Sequence, residues 1–257
     1  MVEFPPMVEG DPIRVSASTY VTYRKCPGQA GARLDGVYGP DTRPAFLGSL
    51  AHRIFSRHLR SGPIRDEDFG RVCREEIGSS SLNNKLGALE NRPSNLASVI
   101  EEVRALYERF VRFPSDGFEG SEHAVEARPA DGVDLVGTVD AVYREDLGGH
   151  RLVDWKTGEL GEPEDQLMFY SLLWLLEAGE LPALVEAVSV RTGERYSTVP
   201  SSGDVQQVAE TVGELVDTIR ASWATGADLP RVGGPWCQYC PILPDCDEGR
   251  SAGALLG

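Results

Sequence analysis

The sequence predicts an α/β fold: a mixed central sheet flanked by helices, with a helical N-terminal part and a cysteine-ligated staple at the C-terminal end. Three observations carry this. Apolar residues recur at helical spacing through much of the first 112 residues. The pattern then changes to strand-like alternation between 121 and 155. Finally, three cysteines fall within ten residues near the end of the chain.

The elements follow in order. Residues 1–15, with three prolines, read as an irregular leader. Ser16 and Ser18 offer N-caps for a short helix running to Lys25, which Pro27, Gly28 and Gly31 end. A Gly/Pro/Asp-rich loop then reaches Pro44. Residues 46–60, 66–77 and 96–112 read as helices, the last two separated by a polar loop at 78–95. Segments 121–127, 133–143 and 150–155 read as an antiparallel hairpin plus a third strand, divided by turns at Asp131-Gly132 and Gly148-Gly149. A helix over 163–178, two short strands at 184–191 and 195–199, and a long helix over 203–224 complete the core. The whole chain, 1–257, is expected to form one domain: a helical part (16–120), a catalytic sheet (121–200), and a final helix with the cysteine tail (201–257).

Composition narrows the function classes. The 257 residues are 41% hydrophobic and 25% charged, which suits a packed globular protein. No apolar run approaches the roughly 18–20 residues needed to span a bilayer. The N-terminus lacks the basic and apolar regions of a secretory signal, so a cytoplasmic location is expected. Net charge is −15. Yet Arg14–Arg60 holds eight basic residues against two acids, a net +6, which leaves −21 for the rest. A nonspecific nucleic-acid coat is excluded, while a local anion-binding face is not. The three lysines are Lys25, Lys85 and Lys156, and none lies in a phosphate-binding P-loop.

Cys237, Cys240 and Cys246 have ligand spacing, and a centre of four thiolates needs one more. Cys26, after a capped helix and before a proline, is the better candidate. Cys73 lies mid-helix at an apolar position and reads as core. Spacing alone leaves zinc and an iron–sulfur cluster equally open.

Asp154 and Lys156 are two apart on a strand, so they share a face. Pairing can bring Asp140 beside them, and two converging carboxylates call for a divalent cation. A neighbouring lysine can orient water or stabilise the charge that develops in phosphoryl transfer. His52, on an otherwise apolar helix, and Glu126, on the preceding strand, are further candidates. So are Gln166 and Tyr170, four apart on one helix face.

In chain order these residues resemble the RecB-like branch of the PD-(D/E)XK nuclease superfamily, which includes RecB and AddB nuclease domains and CRISPR-associated RecB-like exonucleases. Ser16-x-Ser18-x-Tyr20-x-x-Tyr23-x-x-Cys26-Pro27 and Cys237-x-x-Cys240-x5-Cys246 resemble its two cluster motifs. Gly48-x-x-x-His52, Gly137-x-x-Asp140, Asp154-x-Lys156 and Gln166-x-x-x-Tyr170 resemble its active-site motifs. The ordered set spans residues 16–246.

The resemblance implies a restriction-endonuclease-like core. It implies a [4Fe-4S] cluster on Cys26, Cys237, Cys240 and Cys246. It also implies Mg2+ or Mn2+ on His52, Asp140, Asp154 and the main-chain carbonyl of Trp155. Asp140, Asp154 and Lys156 are then catalytic, and Gln166 and Tyr170 position DNA. Glu126 has no motif to fix it. Arg53, Arg57 and Arg60, on the His52 helix, are expected to contact phosphates. The expected activity is a metal-dependent DNA exonuclease acting on single-stranded ends in repair, recombination or CRISPR adaptation. No helicase is present, so unwinding would fall to a separate helicase or an adaptation subunit. The rivals are a non-catalytic DNA-end-binding subunit and a zinc-stapled structural protein. The loops 38–44 and 82–93 match nothing in the family.

Overall fold

The computed structural model describes residues 2–90 and 92–256, so residues 1, 91 and 257 of the expected domain lie outside the described residues. The sheet is organised around β3 (Val133–Arg144). Along one edge β3 pairs antiparallel with β2 (Phe118–Ala130), the expected hairpin. Its other edge is shared. β1 (Ile13–Ser16) runs parallel to Val133–Val136, and β4 (His150–Lys156) runs antiparallel to Ala141–Arg144. Between these two partners the edge at Gly137–Asp140 is left open. Beyond β4 the sheet continues with β5 (Leu184–Ser189), parallel, and β6 (Arg195–Thr198), antiparallel.

Two apolar cores cover the two faces of the sheet. On one face lie α1 (Ala17–Lys25), α6 (Glu164–Ala178) and α7 (Ser202–Thr225). On the other lie α3 (Arg43–Ser61), α4 (Phe69–Gly78) and α5 (Pro93–Phe110), with Phe55 stacked on Phe110 at 4.2 Å between ring centroids. Both cores are large: Leu50, Ile54, Phe55, Leu172, Leu173 and Val212 are fully buried. Burying each such side chain contributes roughly 1.5–3 kcal/mol.

The alternation of β3 slips in its middle. Val133, Leu135 and Val139 enter the first core, but Ala141 and Tyr143 enter the second. Ser121 pairs with Ala141 and His123 with Val139, which sets Glu122 opposite Asp140. Glu122 has φ +53°, unusual for a non-glycine residue inside a strand. The hairpin therefore changes face at this one pair of acidic residues.

The structure departs from the sequence reading in four places. The leader contains β1, whose Ile13 and Val15 are buried while Arg14 points out. Four residues are too few for a period to show. Pro27 does not merely end α1. It opens α2 (Pro27–Leu34) at the first helical position, where its missing N–H costs nothing. The polar loop at 78–95 holds a 3₁₀ segment, Ser81–Leu89, with Leu82 and Leu89 buried. The tail ends in α8 (Asp247–Leu256). Among the described residues no helix is long and apolar enough to cross a membrane.

Candidate active site

The open edge at Gly137–Asp140 is where the functional side chains meet. Gly137 makes this possible. A Cβ there would lie 2.5 Å from Leu173 Cδ1 and 3.3 Å from the Tyr170 ring. Its absence lets α6 sit directly on the strand and brings Gln166 and Tyr170 to the gap. Gly48 gives α3 the same closeness, with a Cβ position 3.2 Å from Thr157 Oγ1. That approach delivers His52.

His52 Nδ1 lies 3.0 Å from Asp140 Oδ1. The other Asp140 oxygen accepts a 2.7 Å bond from the Trp155 backbone N–H. Asp154 is 4% exposed. Its Oδ1 accepts from Gln166 Nε2 at 3.0 Å, and its Oδ2 faces the Lys156 ammonium at 2.7 Å. Gln166 is the hub of this group. Its Oε1 accepts from Lys156 Nζ at 2.6 Å, and its Nε2 also donates to Tyr170 Oη at 2.9 Å. One amide thus fixes the carboxylate, the lysine and the phenol together.

The electrostatics show a site with excess negative charge. Burial, then repulsion from Asp140, push the Asp154 carboxyl up to about 6, against the pull of Lys156. Burial disfavours a charged His52, but attraction from Asp140, Asp154 and Glu122 overrides it and raises the imidazole to about 9. Burial and Asp140 also raise Glu122. Three acids and a histidine facing one gap are relieved by a divalent cation.

One residue of this group was missed from the sequence. His52, Glu122 and Asp140 each offer a donor atom, and these atoms all lie within 4.8 Å of one another. Glu126, the carboxylate expected on this strand, is instead exposed and pairs with Arg14 at 3.5 Å. Alternation along β2 puts Glu122 and Glu126 on one face, and only the register, with Glu126 opposite Val136 and Glu122 opposite Asp140, tells them apart. The residue type and its place opposite Asp140 were the only signals.

A groove of about 440 Å³ runs from this gap between β2, β3 and the start of α1, lined by Arg14, Ser16, Ser18, Glu126, Gln166 and Tyr170. A second hollow holds Arg53 with His52, Glu122 and Asp140, and Thr138 borders both. The three expected phosphate arginines separate here. Arg53 reaches the hollow while pairing with Glu76 at 3.6 Å. Arg57 is turned onto α4, 3.1 Å from Glu76 and 3.5 Å from Glu75, and is neutralised there. Arg60 is exposed and donates back to the Ser56 carbonyl at 3.4 Å.

The cysteines form a second centre. Gly28 N–H donates to the Pro230 carbonyl at 2.9 Å, which lays the tail against the start of α2. Three sulfurs then accept backbone N–H bonds: Cys26 from Val232 at 3.4 Å, Cys237 from Gly234 at 3.3 Å, and Cys246 from Gly249 at 3.3 Å. Burial raises the Cys240 thiol, and the other three sulfurs add to the effect. A Cβ on Gly249 would lie 3.4 Å from the Cys246 sulfur and 3.5 Å from that of Cys237. Cys73 is fully buried in the α3–α5 core, far up toward 12 by burial, as an apolar core position implies.

Comparison with known proteins agrees with this geometry. Residues 14–247 match the PD-(D/E)XK nuclease superfamily, and the chain belongs to that superfamily. Its fold is similar to the crystal structure of a proposed exonuclease from Eubacterium rectale, solved at 2.19 Å. That match has a TM-score of 0.57 and 11% identity, over 91% of this chain and 88% of that one. A second structure, of SSO0001, aligns at 16% identity over 77% of this chain and 94% of that one, with a TM-score of 0.35. No curated protein matches the sequence.

Proposed function

We propose that this PD-(D/E)XK nuclease is a metal-dependent DNA exonuclease of the RecB-like branch. It hydrolyses phosphodiester bonds at single-stranded ends, in DNA repair, recombination or CRISPR adaptation, as one nuclease domain with a separate helicase or adaptation partner. The observation that carries this reading is the gap itself. A three-donor group, His52, Glu122 and Asp140, stands beside the buried Asp154 and its Lys156 partner, at the stretch of β3 whose second edge carries no strand. The likeness to a proposed exonuclease and the ordered motifs support the same activity. A pure end-binding subunit has no use for three acids converging on one gap.

The donor set fits Mg2+ or Mn2+: hard oxygen ligands with one imidazole, and carboxyls raised by burial and then by mutual repulsion. His52, Asp140 and Asp154 would hold the ion, joined by Glu122 and the Trp155 carbonyl. Such an ion supplies Lewis-acid activation of water and of the phosphoryl oxygen. The protein's own part is positioning. Asp154 and Gln166 hold the Lys156 ammonium at the edge of the groove, where it can orient a water or meet the charge that develops on the phosphate. Arg53 and the α1 face of the groove would contact neighbouring phosphates.

In this reading Cys26, Cys237, Cys240 and Cys246 hold a [4Fe-4S] cluster, with zinc as the alternative that metal analysis decides. Backbone N–H bonds to the sulfurs are a means by which proteins tune such clusters.

The test is anaerobic digestion of single strands labelled at the 5′ or 3′ end, with and without Mg2+ or Mn2+, beside metal analysis of the same sample. Metal-dependent release of end nucleotides, and about four irons per chain, are expected. Binding without cleavage under every metal condition would establish the end-binding reading instead. Stoichiometric zinc without iron would remove the cluster.

A further inference from the structure

The Tyr38–Pro44 loop has no part in the site described above, yet it holds one of the most exposed aromatic rings in the chain. Tyr38 is 64% exposed, and Tyr239, between Cys237 and Cys240, is 76% exposed. The two are joined to the groove and to each other. Arg33 on α2 donates from Nη2 to Ser18 Oγ at 3.2 Å, at the α1 side of the groove. Its guanidinium lies over the Tyr38 ring, 5.6 Å from the centroid. The next residue, Gly39, lies against Tyr239, with its Cβ position 3.7 Å from the Tyr239 carbonyl oxygen. Lys25 lies over Trp236 beside it, at 5.9 Å.

Neither tyrosine is there to fill a core, and a ring left in water gives up the area it could bury. Arg33 is likewise incompletely used. Its Nε is buried without a hydrogen-bond partner, and among the described residues it has no carboxylate to pair with. Arg24 and Lys25, by contrast, each face an acid, Asp165 at 3.4 Å and Glu162 at 3.7 Å.

We infer that Arg33, Tyr38 and Tyr239 form a stacking track for the part of a single-stranded nucleic acid that lies outside the catalytic groove. The inference rests on the nuclease reading above and adds a binding site to it. A single strand offers the two things this ridge can hold: a polyanionic backbone for Arg33, and flat base faces for the exposed rings. A duplex keeps its base faces stacked inside, so it cannot use the tyrosines. The track begins at Ser18, which also lines the groove, so one strand can occupy both. In a chain of net charge −15, a cation without an acid partner beside open aromatic faces favours this occupant over a basic protein.

The experiment measures binding without metal, so that no strand is cut. A dinucleotide, a single strand of about twelve nucleotides (within the span that single-strand folds cover) and a blunt duplex are titrated into wild type, Tyr38→Ala, Tyr38→Phe and Tyr38→Ala/Tyr239→Ala. Tyr38→Ala is expected to weaken the long strand about five- to a hundred-fold, as loss of one stacked base does. Tyr38→Phe should bind as wild type, and the dinucleotide and duplex should not distinguish the variants. Tyr38 lies outside the Cys237–Cys246 tail, so its single variants leave the residues between those cysteines unchanged. Equal weakening of all three ligands, or no weakening of the long strand, overturns the track. Unchanged strand binding with an altered mass on a sizing column would assign the ridge to contact between copies of the chain. The nuclease reading fails separately: wild type that cuts nothing but keeps the length-dependent Tyr38 effect would retain the track and lose the enzyme.

Discussion

Around Asp140 every functional group is held by the sheet or by a helix packed on it. Around Cys240 almost nothing is. The catalytic gap is framed by two cores whose side chains are fully buried, and Gln166 alone ties Asp154, Lys156 and Tyr170 in place. Between residues 226 and 250, only Cys237, Cys246 and Gly249 are buried. The tail thus has no apolar core of its own, and its buried atoms are the sulfurs and the glycine that makes room for them. One region is preorganised by packing and awaits an ion for chemistry. In the other, the proposed cluster would supply the cohesion.

This contrast predicts that the two regions fail differently. The largest effect is expected from Asp154→Ala. It removes an acid that is raised by burial and repulsion, on a strand fixed by both cores, so the fold should keep its melting temperature. Cleavage should fall on the order of 10³-fold or more, since several kcal/mol of transition-state stabilisation depend on the metal site. Single-turnover digestion beside a thermal melt measures both, and wild-type cleavage by this variant would refute the catalytic reading. Cys240→Ser should do the reverse in order of events. It puts several kcal/mol of ligand binding at risk, equivalent to a drop on the order of 10 °C for a chain of this size. Limited proteolysis should cut first between residues 226 and 246, before the sheet opens.

Gln166→Leu sharpens the comparison within the gap. The residue touches no reacting atom in this account but orients two that do. Turnover should fall about 10- to 100-fold, as outer-shell partners of metal ligands typically cost. The pH dependence should shift with it, because both Asp154 and Lys156 lose a partner. In Cys240→Ser protein that remains folded, the pH profile should keep its shape.

A further difference lies in proton linkage. Asp154 is raised from 3.8 to about 6 and His52 from 6.5 to about 9. Both folded values exceed the unfolded ones, so the metal-free fold holds these protons more tightly than the unfolded chain does. Their contribution to stability is complete below the unfolded values. It is lost for Asp154 as pH rises through about 6 and for His52 as pH rises through about 9. Metal binding must displace the same protons. The melting temperature of the metal-free protein should therefore fall as pH rises from 6.5 to 9. The increase on adding Mn2+ should be larger at the alkaline end, tending to tenfold in affinity per pH unit below the His52 value. Calorimetry in buffers of different ionisation heat would count the released protons.

The smallest effect separates two arginines one helical turn apart. Arg53→Gln should lower the salt dependence of strand binding by about one counterion, a slope change of roughly 0.7–0.9. Arg57→Gln should leave the slope alone, because Glu75 and Glu76 already hold that cation.

Much of this was legible in the sequence because the fold writes its constraints locally. The helical period, the strand alternation and the turn glycines placed β2 to β6 and the long helices within a few residues. The spacing of Asp154 and Lys156 put both on one strand face. Cys73 was recognisable as core from its apolar neighbours alone. What the sequence could not show is what depends on partners distant in the chain. β1 is a strand because β3 offers it an edge, and four residues carry no period of their own. Arg57 lost its place among the phosphate contacts because α4 presents two acids to it. Glu122, not Glu126, faces His52 because the β2–β3 register sets Glu122 opposite Asp140 and Glu126 opposite Val136, and no count along one strand contains that register. The sequence by itself determined which residue types are available for the chemistry. Only the tertiary structure decided which carboxylate stands in the gap, since two acids four apart share a strand face and pairing with β3 selects between them.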